Sequence, residues 1–144
     1  MITEDYVSYE TAKLLKEKGF DEKCRAFYVK SKECGIELFP VERSHNYNDD
    51  VYPRTSAPTL QMAMKWLREV HNMHIEIEAI KPHGRDVLLR SAVPLDGVKY
   101  HASIVYIDKW DEDLNEFKWK GIPSSDSYEQ ACEKTIKYCL ENLI

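Results

Sequence analysis

The sequence predicts a single α+β domain, with about three helices packed on a mainly antiparallel sheet of four or five strands. Two observations lead to this prediction. Residues 57–72 and 127–143 carry apolar residues at helical spacing, the first behind a proline that suits a first turn and the second behind a capping box. Residues 74–79 and 98–107 instead alternate apolar and polar side chains with the period of two of a strand. The length of 144 residues is that of one domain with its own core.

The first helix is predicted in "SYETAKLLKEKGF". Ser8 suits the N-cap, because its hydroxyl can accept a hydrogen bond from a free amide of the first turn. Gly19 can adopt the left-handed conformation that ends a helix, which would fold Phe20 back onto Leu15. The apolar stripe of this segment is narrow, so we expect the helix to dock at an edge of the core.

The second helix is predicted in "APTLQMAMKWLREVHN", with Pro58 in its first turn. Met62 and Trp66 widen one apolar face, whose other members are Leu60, Ala63, Met64, Leu67 and Val70.

The third helix is predicted to begin at Ser127, which forms a capping-box pattern with Gln130. Its apolar stripe holds Tyr128, Ala131, Cys132, Thr135, Ile136, Cys139, Leu140 and Leu143. We interpret the two cysteines as core residues rather than a metal or redox pair, because this helix supplies no further ligands. Glu133 and Lys137 are expected to form an i,i+4 ion pair on the wet face.

The strands are predicted in the order of the chain. "CRAFYV" and "GIELFPV" form a hairpin that turns at Gly35, and residues 42–57 form a long loop. "HIEIEA" directs His74, Glu76 and Glu78 away from the core. Further strands are expected at residues 85–93, at residues 98–107 after a turn at 95–97, and in "NEFKWKG".

Composition restricts the partners and the compartment. The net charge of -5 disfavours broad binding to nucleic-acid phosphates. No apolar run reaches the length of a membrane-spanning helix. The start "MITEDYVSYE" carries early acids and no apolar core of a signal peptide, which favours the cytoplasm, where the four cysteines would remain reduced.

Most sequence patterns for catalysis are missing. The chain contains no nucleophile elbow, no P-loop and no dinucleotide-binding motif. "DEDLNE" resembles the start of a calcium loop, but Glu116 and Ile122 occupy the positions that require glycine and a bidentate glutamate. "HGRD" at His83 is too short to assign. The sequence therefore predicts no catalytic residue, no cofactor and no metal.

The strongest alternative to this prediction is a small metal-dependent hydrolase. His71 and His74 in "HNMH", followed by Glu76, could hold zinc if the helix continued through His74, and His101 could complete the set. The switch of period after Asn72 instead predicts that the chain changes direction between the two histidines.

Exposed aromatic residues are the more informative class. Tyr47, Tyr52, Trp110 and Trp119 are predicted to lie in loops or at the ends of elements. If they converge on one surface, they would form the aromatic anchors typical of a protein interface. Alternatively, the two tryptophans cover the edge of the sheet, while Trp66 belongs to the core.

Three segments also carry a resemblance to a protein family. Residues 4–22, 57–80 and 128–144 resemble a family of short uncharacterised proteins encoded by gut Bacteroides-type bacteria, their phages and mobile elements. Residues 81–120 depart from the family pattern. The resemblance implies an accessory gene product associated with phage or mobile elements, and it implies no reaction, cofactor or catalytic residue.

We therefore expect a non-enzymatic binding or adaptor protein, with a protein partner or a second copy of itself. A third hypothesis, nucleic-acid binding, would require the basic residues near the amino terminus to share one face; these are Lys13, Lys16, Lys23, Arg25, Lys30 and Lys32.

Overall fold

The computed structural model describes residues 2–81 and 97–144. It confirms the α+β class. The elements, in chain order, are α1 (Tyr9–Glu17), β1 (Cys24–Ser31), β2 (Gly35–His45), a 3-10 turn (Tyr47–Asp49), β3 (Arg54–Ser56), α2 (Leu60–His71), β4 (Met73–Ile80), β5 (Lys99–Asp111), β6 (Glu116–Ser125) and α3 (Tyr128–Asn142). None of these helices is long and apolar enough to cross a membrane.

The strands form two sheets, each antiparallel and three-stranded, in the orders β2-β1-β3 and β4-β5-β6. The prediction of one sheet with four or five strands is therefore wrong. Alternation along the chain indicates which segments are strands, but it does not indicate which strands pair, because pairing depends on contacts between distant residues. The predicted strand at 85–93, His83 and the first two residues of the turn at 95–97 lie outside the described residues.

The first sheet contains the predicted hairpin. Gly35 has a φ of +74° at the start of β2, a left-handed conformation that glycine adopts without steric cost. The long loop predicted at 42–57 is partly wrong, since β2 continues to His45 and Arg54–Ser56 adds to β1 as β3. These residues have no apolar period of their own, so the backbone of β1 determines their strand conformation.

The ends of α1 agree with the prediction. The Ser8 hydroxyl accepts a hydrogen bond from the Thr11 amide at 3.2 Å. Gly19 has a φ of +88°, and the amide of Phe20 donates to the Leu15 carbonyl at 2.9 Å. Leu15 is completely buried, so even the narrow apolar stripe of α1 contributes to the core.

The start of α2 lies later than predicted. Thr59 is the N-cap and accepts a hydrogen bond from the Met62 amide at 3.2 Å, so Pro58 precedes the helix. The Pro58 carbonyl accepts from the Val7 amide at 3.0 Å, which holds this segment extended. At the other end, Asn72 adopts a left-handed φ of 57° and β4 begins at the next residue. The predicted change of direction after Asn72 is confirmed.

The second sheet has one face against the helices and one face away from them. In β4 and β5, Ile75 lies opposite Ile104 and Ile77 opposite Ala102, on the face that joins the core. Glu76 and Glu78 point away from it, as predicted. The short strand predicted at 115–121 is present as the longer β6.

The helices and both sheets share one hydrophobic cluster. The stripe of α3 supplies six of its helix residues to the interior, namely Ala131, Cys132, Thr135, Ile136, Cys139 and Leu140. Cys132 and Cys139 are both fully buried, in agreement with their assignment as core residues. Burial raises the pKa of Cys132 to about 11 and that of Cys139 to about 12, because a thiolate would lose its hydration there.

A polar contact joins α3 to the start of α1. The Glu133 carboxylate accepts hydrogen bonds from the Ser8 amide at 3.2 Å, from the Thr11 hydroxyl at 2.5 Å and from the Ser8 hydroxyl. The predicted ion pair between Glu133 and Lys137 is not formed, since Lys137 bonds to Glu10 at 2.9 Å. The free donors at the beginning of α1 attract the carboxylate more effectively than a solvated lysine does.

The burial of the thiols gives a first prediction. With Ellman's reagent, native protein should show one fast-reacting thiol, Cys34, which is exposed, while Cys24, Cys132 and Cys139 react only as fast as the protein opens. The control is Cys34→Ser, which should remove the fast phase completely. A second fast thiol in the native protein would contradict the burial of the other three cysteines.

The contact of Glu133 gives a second prediction. Glu133→Ala should lower the free energy of unfolding by about 1–3 kcal/mol, because the buried Thr11 hydroxyl loses its acceptor. Glu141→Ala on the same helix removes only an exposed contact of 3.9 Å to Lys137 and should change stability by less than about 0.5 kcal/mol. Urea unfolding measures both variants, and equal effects would contradict the proposed role of Glu133.

Candidate interaction surface

The residues of the hydrolase hypothesis are divided between the end of α2 and the second sheet. His71 ends α2, whereas His74 lies in β4 beyond the left-handed residue Asn72. The register places His74 opposite Val105 and His101 opposite Glu78. These two imidazoles are therefore four positions apart along the sheet, or about 13 Å at the usual strand rise. Two ligands of one zinc ion must both lie about 2 Å from it.

Each imidazole has separate surroundings. The His71 ring packs edge-on against Trp66 with centroids 4.7 Å apart, and burial lowers its pKa. His74 Nε2 lies 3.7 Å from a Glu76 carboxylate oxygen. His71 Nε2 and His74 Nδ1 are buried without a hydrogen-bond partner in the described part of the chain. Within residues 2–81 and 97–144, no three His, Cys, Asp or Glu side chains are placed to hold a metal. The convergence that the hydrolase hypothesis requires is absent there.

The four aromatic residues predicted for an interaction surface are divided between the two sheets. Tyr47 is buried against Phe27, with ring centroids 4.6 Å apart, so it offers no contact area. Tyr52 is exposed beside Arg54 at the first sheet. Trp110 and Trp119 both belong to the second sheet, on β5 and β6.

Trp110 and Trp119 lie on the same face of the second sheet. Val105 pairs with Trp119, and Trp110 pairs with Phe117. Because directly paired residues point to the same side, and because residues 117 and 119 are two apart on one strand, all four side chains share the face that points away from the helices. A bulge in β5 between Val105 and Trp110 makes this possible. We call Val105, Trp110, Phe117 and Trp119 the aromatic face.

The rings of the aromatic face are half exposed and mutually supported. The exposed fractions are 49% for Trp110, 40% for Phe117 and 55% for Trp119. Trp110 and Phe117 meet edge to face, with centroids 4.9 Å apart and an interplanar angle of 87°. The Trp119 indole donates to a Glu116 carboxylate oxygen at 3.4 Å. The rings are therefore partly fixed in position while much of their area faces water.

Gly121 lies next to the imidazole of His101 and the indole of Trp119. A Cβ atom at this position would lie 3.4 Å from His101 Nε2 and 3.5 Å from the Trp119 ring. Both distances are ordinary van der Waals contacts, so a methyl group at this position would touch both rings without displacing them. Beside them, Glu76, Ser103 and the aromatic face residues Val105, Phe117 and Trp119 line a shallow groove of about 300 Å³.

Charge is uneven across this side of the sheet. Glu76 and Glu78 lie on β4, and the aromatic rings lie on β5 and β6. The surface thus changes from acidic to aromatic from β4 to β6. Phe117 and Trp119 alternate in "NEFKWKG", which is a sequence signal for this face. Trp110 was predicted as an exposed aromatic residue, but its position on the same face depends on the bulge, which the sequence does not indicate.

The basic residues of the nucleic-acid hypothesis do not form one surface. Lys13 and Lys30 line a groove beside α1, whereas Lys23 and Arg25 line a different groove near the start of α2. Lys16 bonds to the Arg54 carbonyl at 2.9 Å. This arrangement does not provide the single basic face that the hypothesis requires.

Comparison with protein-family models, with curated proteins and with solved structures gave no match to this chain. The resemblance to proteins of gut Bacteroides-type bacteria and their phages therefore remains a prediction.

The environment of His71 gives a third prediction. Its pKa in the folded protein lies below the ordinary value of 6.5, so the unfolded chain takes up the proton first as the pH falls. The contribution of His71 to the free energy of unfolding should therefore decrease as the pH is lowered from about 7.5 to about 5.5. Over this range the wild type should lose stability relative to His71→Gln. His101→Asn, at a histidine of the outer face, is the control. Identical pH dependence in His71→Gln and the wild type, measured by urea unfolding, would contradict this effect of burial.

Proposed function

We propose that this protein is a non-enzymatic binding or adaptor protein that holds a protein partner on the aromatic face. The observation that carries the proposal is the presence of three neighbouring, half-exposed aromatic side chains, Trp110, Phe117 and Trp119, on one uncovered side of a sheet. Tryptophan is among the residues most enriched at the energetic centres of protein interfaces.

The geometry of the rings supports this proposal. Large rings contribute much contact area at a small loss of conformational entropy, because each has only two side-chain torsions. The edge-to-face contact of Trp110 with Phe117 and the bond of Trp119 to Glu116 reduce that loss further. A partner that covers the face would remove exposed apolar area from water, at about 25 cal/mol for each Å².

The partner we favour is a different protein rather than a second copy. We place the binding in the cytoplasm, and the predicted family context suggests a component of phage or mobile-element machinery. Self-association through the same face remains the other outcome, and the test below distinguishes the two.

The test is a selection of binding peptides from a random display library, followed by affinity measurements on the selected peptides. The selection on wild-type protein should yield binding peptides. Their affinity should fall by about tenfold or more for Trp110→Ala/Trp119→Ala, because each substitution removes an aromatic anchor of the interface. The control is Tyr52→Ala, which removes an exposed ring from the other sheet and should leave the affinity unchanged.

Two results would contradict the proposal. One is a set of peptides that bind the double variant and the wild type equally. The other is sedimentation of the wild type as a dimer that the double variant cannot form, together with no selected peptide. This second result would assign the aromatic face to a second copy of the chain.

A further inference from the structure

Strand β6 lies at the end of the second sheet. In the order β4-β5-β6 it has one neighbour, and within residues 2–81 and 97–144 no strand pairs with its other edge. Such an edge presents backbone N–H and C=O groups to which another extended chain can bind. Edge strands with this property are normally protected from adding a copy of the same protein.

The two sides of β6 have opposite character. Lys120 pairs with Ile104, which is fully buried toward the helices, so Lys120 lies on the helix side of the strand. Alternation along the strand puts Lys118 on that side too. Phe117 and Trp119 lie on the other side, in the aromatic face. The same alternation puts Glu116 on the lysine side at the start of the strand. A strand added beside β6 therefore meets Lys118 and Lys120 on one side and the rings on the other.

A groove continues the lysine side toward α3. It has a volume of about 500 Å³, and its walls include Lys120, Lys134 and Tyr138. The ammonium of Lys120 lies 5.6 Å from the centre of the Tyr138 ring. Lys134 donates a hydrogen bond to the Pro123 carbonyl at 3.2 Å.

Three lysines on this side form no ion pair among the described residues, and Glu141, which lines the same groove, contacts Lys137 instead at 3.9 Å. In the described part of the chain, Lys118, Lys120 and Lys134 form no ion pair, in contrast to the neighbouring Lys137, which pairs with Glu10. The three ammonium groups lie along one strand and the groove beside it, in a chain that carries 25 acidic residues against 20 Lys and Arg. Their charge is complementary to an acidic ligand.

We propose that β6 binds an extended, acidic segment of a partner protein as an added antiparallel or parallel strand. This inference rests on the proposed function and specifies its partner. Alternate side chains of the segment would be apolar, against Phe117 and Trp119, and the side chains between them would be Asp or Glu, against Lys118 and Lys120. Backbone hydrogen bonds supply affinity, and the alternation supplies specificity.

Pro123 sets the length of the segment. It has no N–H group, so the added strand pairs best with residues 116–121, which precede it. Six residues in strand conformation span about 20 Å. The segment recognised by β6 is therefore about six residues long.

A second copy of this protein fits the edge poorly. If β6 paired with β6 of another copy in an antiparallel dimer, the lysines of both strands would lie on the same side. Like charges directly across a strand pair are destabilising. Single-stranded nucleic acid also fits poorly, because Glu76 and Glu78 lie on the same side of the sheet as the aromatic face and repel phosphates.

The probe for this proposal is a fluorescein-labelled peptide with six alternating leucine and glutamate residues between Gly-Ser ends. Binding is measured by fluorescence anisotropy. The first control has the same composition in two blocks, which destroys the alternation. The second control carries N-methyl groups on alternate amides, which prevents strand pairing. Both control peptides should bind about tenfold or more weakly.

The variants test the lysines directly. Lys118→Glu/Lys120→Glu should weaken binding of the leucine–glutamate peptide about tenfold or more. The same variant should gain binding to a leucine–lysine peptide of the same pattern. The matched control, Lys30→Glu/Lys32→Glu on the first hairpin, applies the same change of charge elsewhere and should leave affinity within about twofold. Gain of the leucine–lysine peptide also demonstrates that the variant is folded.

The outcomes separate this inference from the proposed function. Peptides that depend on Trp119 but tolerate both N-methylation and the lysine reversal would overturn strand addition and leave the proposed function intact. No binding of the leucine–glutamate peptide, while library-selected peptides still depend on Trp110 and Trp119, would overturn the inference alone. Library-selected peptides that bind independently of both tryptophans would overturn both. A labelled single-stranded oligonucleotide that binds more tightly than the peptide, and loses binding on lysine reversal, would overturn the protein-segment proposal in favour of nucleic acid.

Discussion

The fold depends on the burial of one stripe of α3. This helix touches α1, α2 and all three strands of the second sheet, so its apolar residues join elements that are far apart in the chain. Cys132 and Cys139 belong to this stripe because a protonated thiol behaves as a small hydrophobic group. In the amino-terminal half of α3, Glu133 accepts hydrogen bonds from free donors of α1, which holds the start of the first helix against the third.

A helix layer can cover only one side of a sheet. Since α2 and α3 occupy the inner side of β4, β5 and β6, the described residues leave the outer side to solvent. An antiparallel sheet accepts this arrangement when its outer residues are polar. The outer residues of β4 obey the rule with Glu76 and Glu78, whereas Phe117 and Trp119 on β6 break it. Exposed aromatic residues on an otherwise polar sheet face indicate a binding site.

The sequence predicted the local features and failed on those that depend on distant pairing. Ser8, Gly19 and Ser127 were identifiable because capping and helix termination are determined within a few residues. The division into two sheets and the addition of Arg54–Ser56 to β1 were not, because they depend on which strands meet. The same holds for the site. Trp110 and Trp119 were selected as exposed aromatics, but the β5 bulge decides that they share a face, and Tyr47 was buried by contacts with Phe27.

Lysines at a sheet edge have two effects that follow from one property. They repel an identical strand, which protects a monomer against edge-to-edge association. The same charge attracts a strand that carries acids at the matching positions, so protection against self-pairing becomes selectivity for a complementary segment. On the other side of β6, Phe117 and Trp119 favour apolar residues at the intervening positions of the bound segment. Neither side of the strand is specific alone, since lysines bind many anions and rings bind many apolar groups. Because the lysines and the rings alternate along one strand, together they select a ligand in which acidic and apolar residues also alternate.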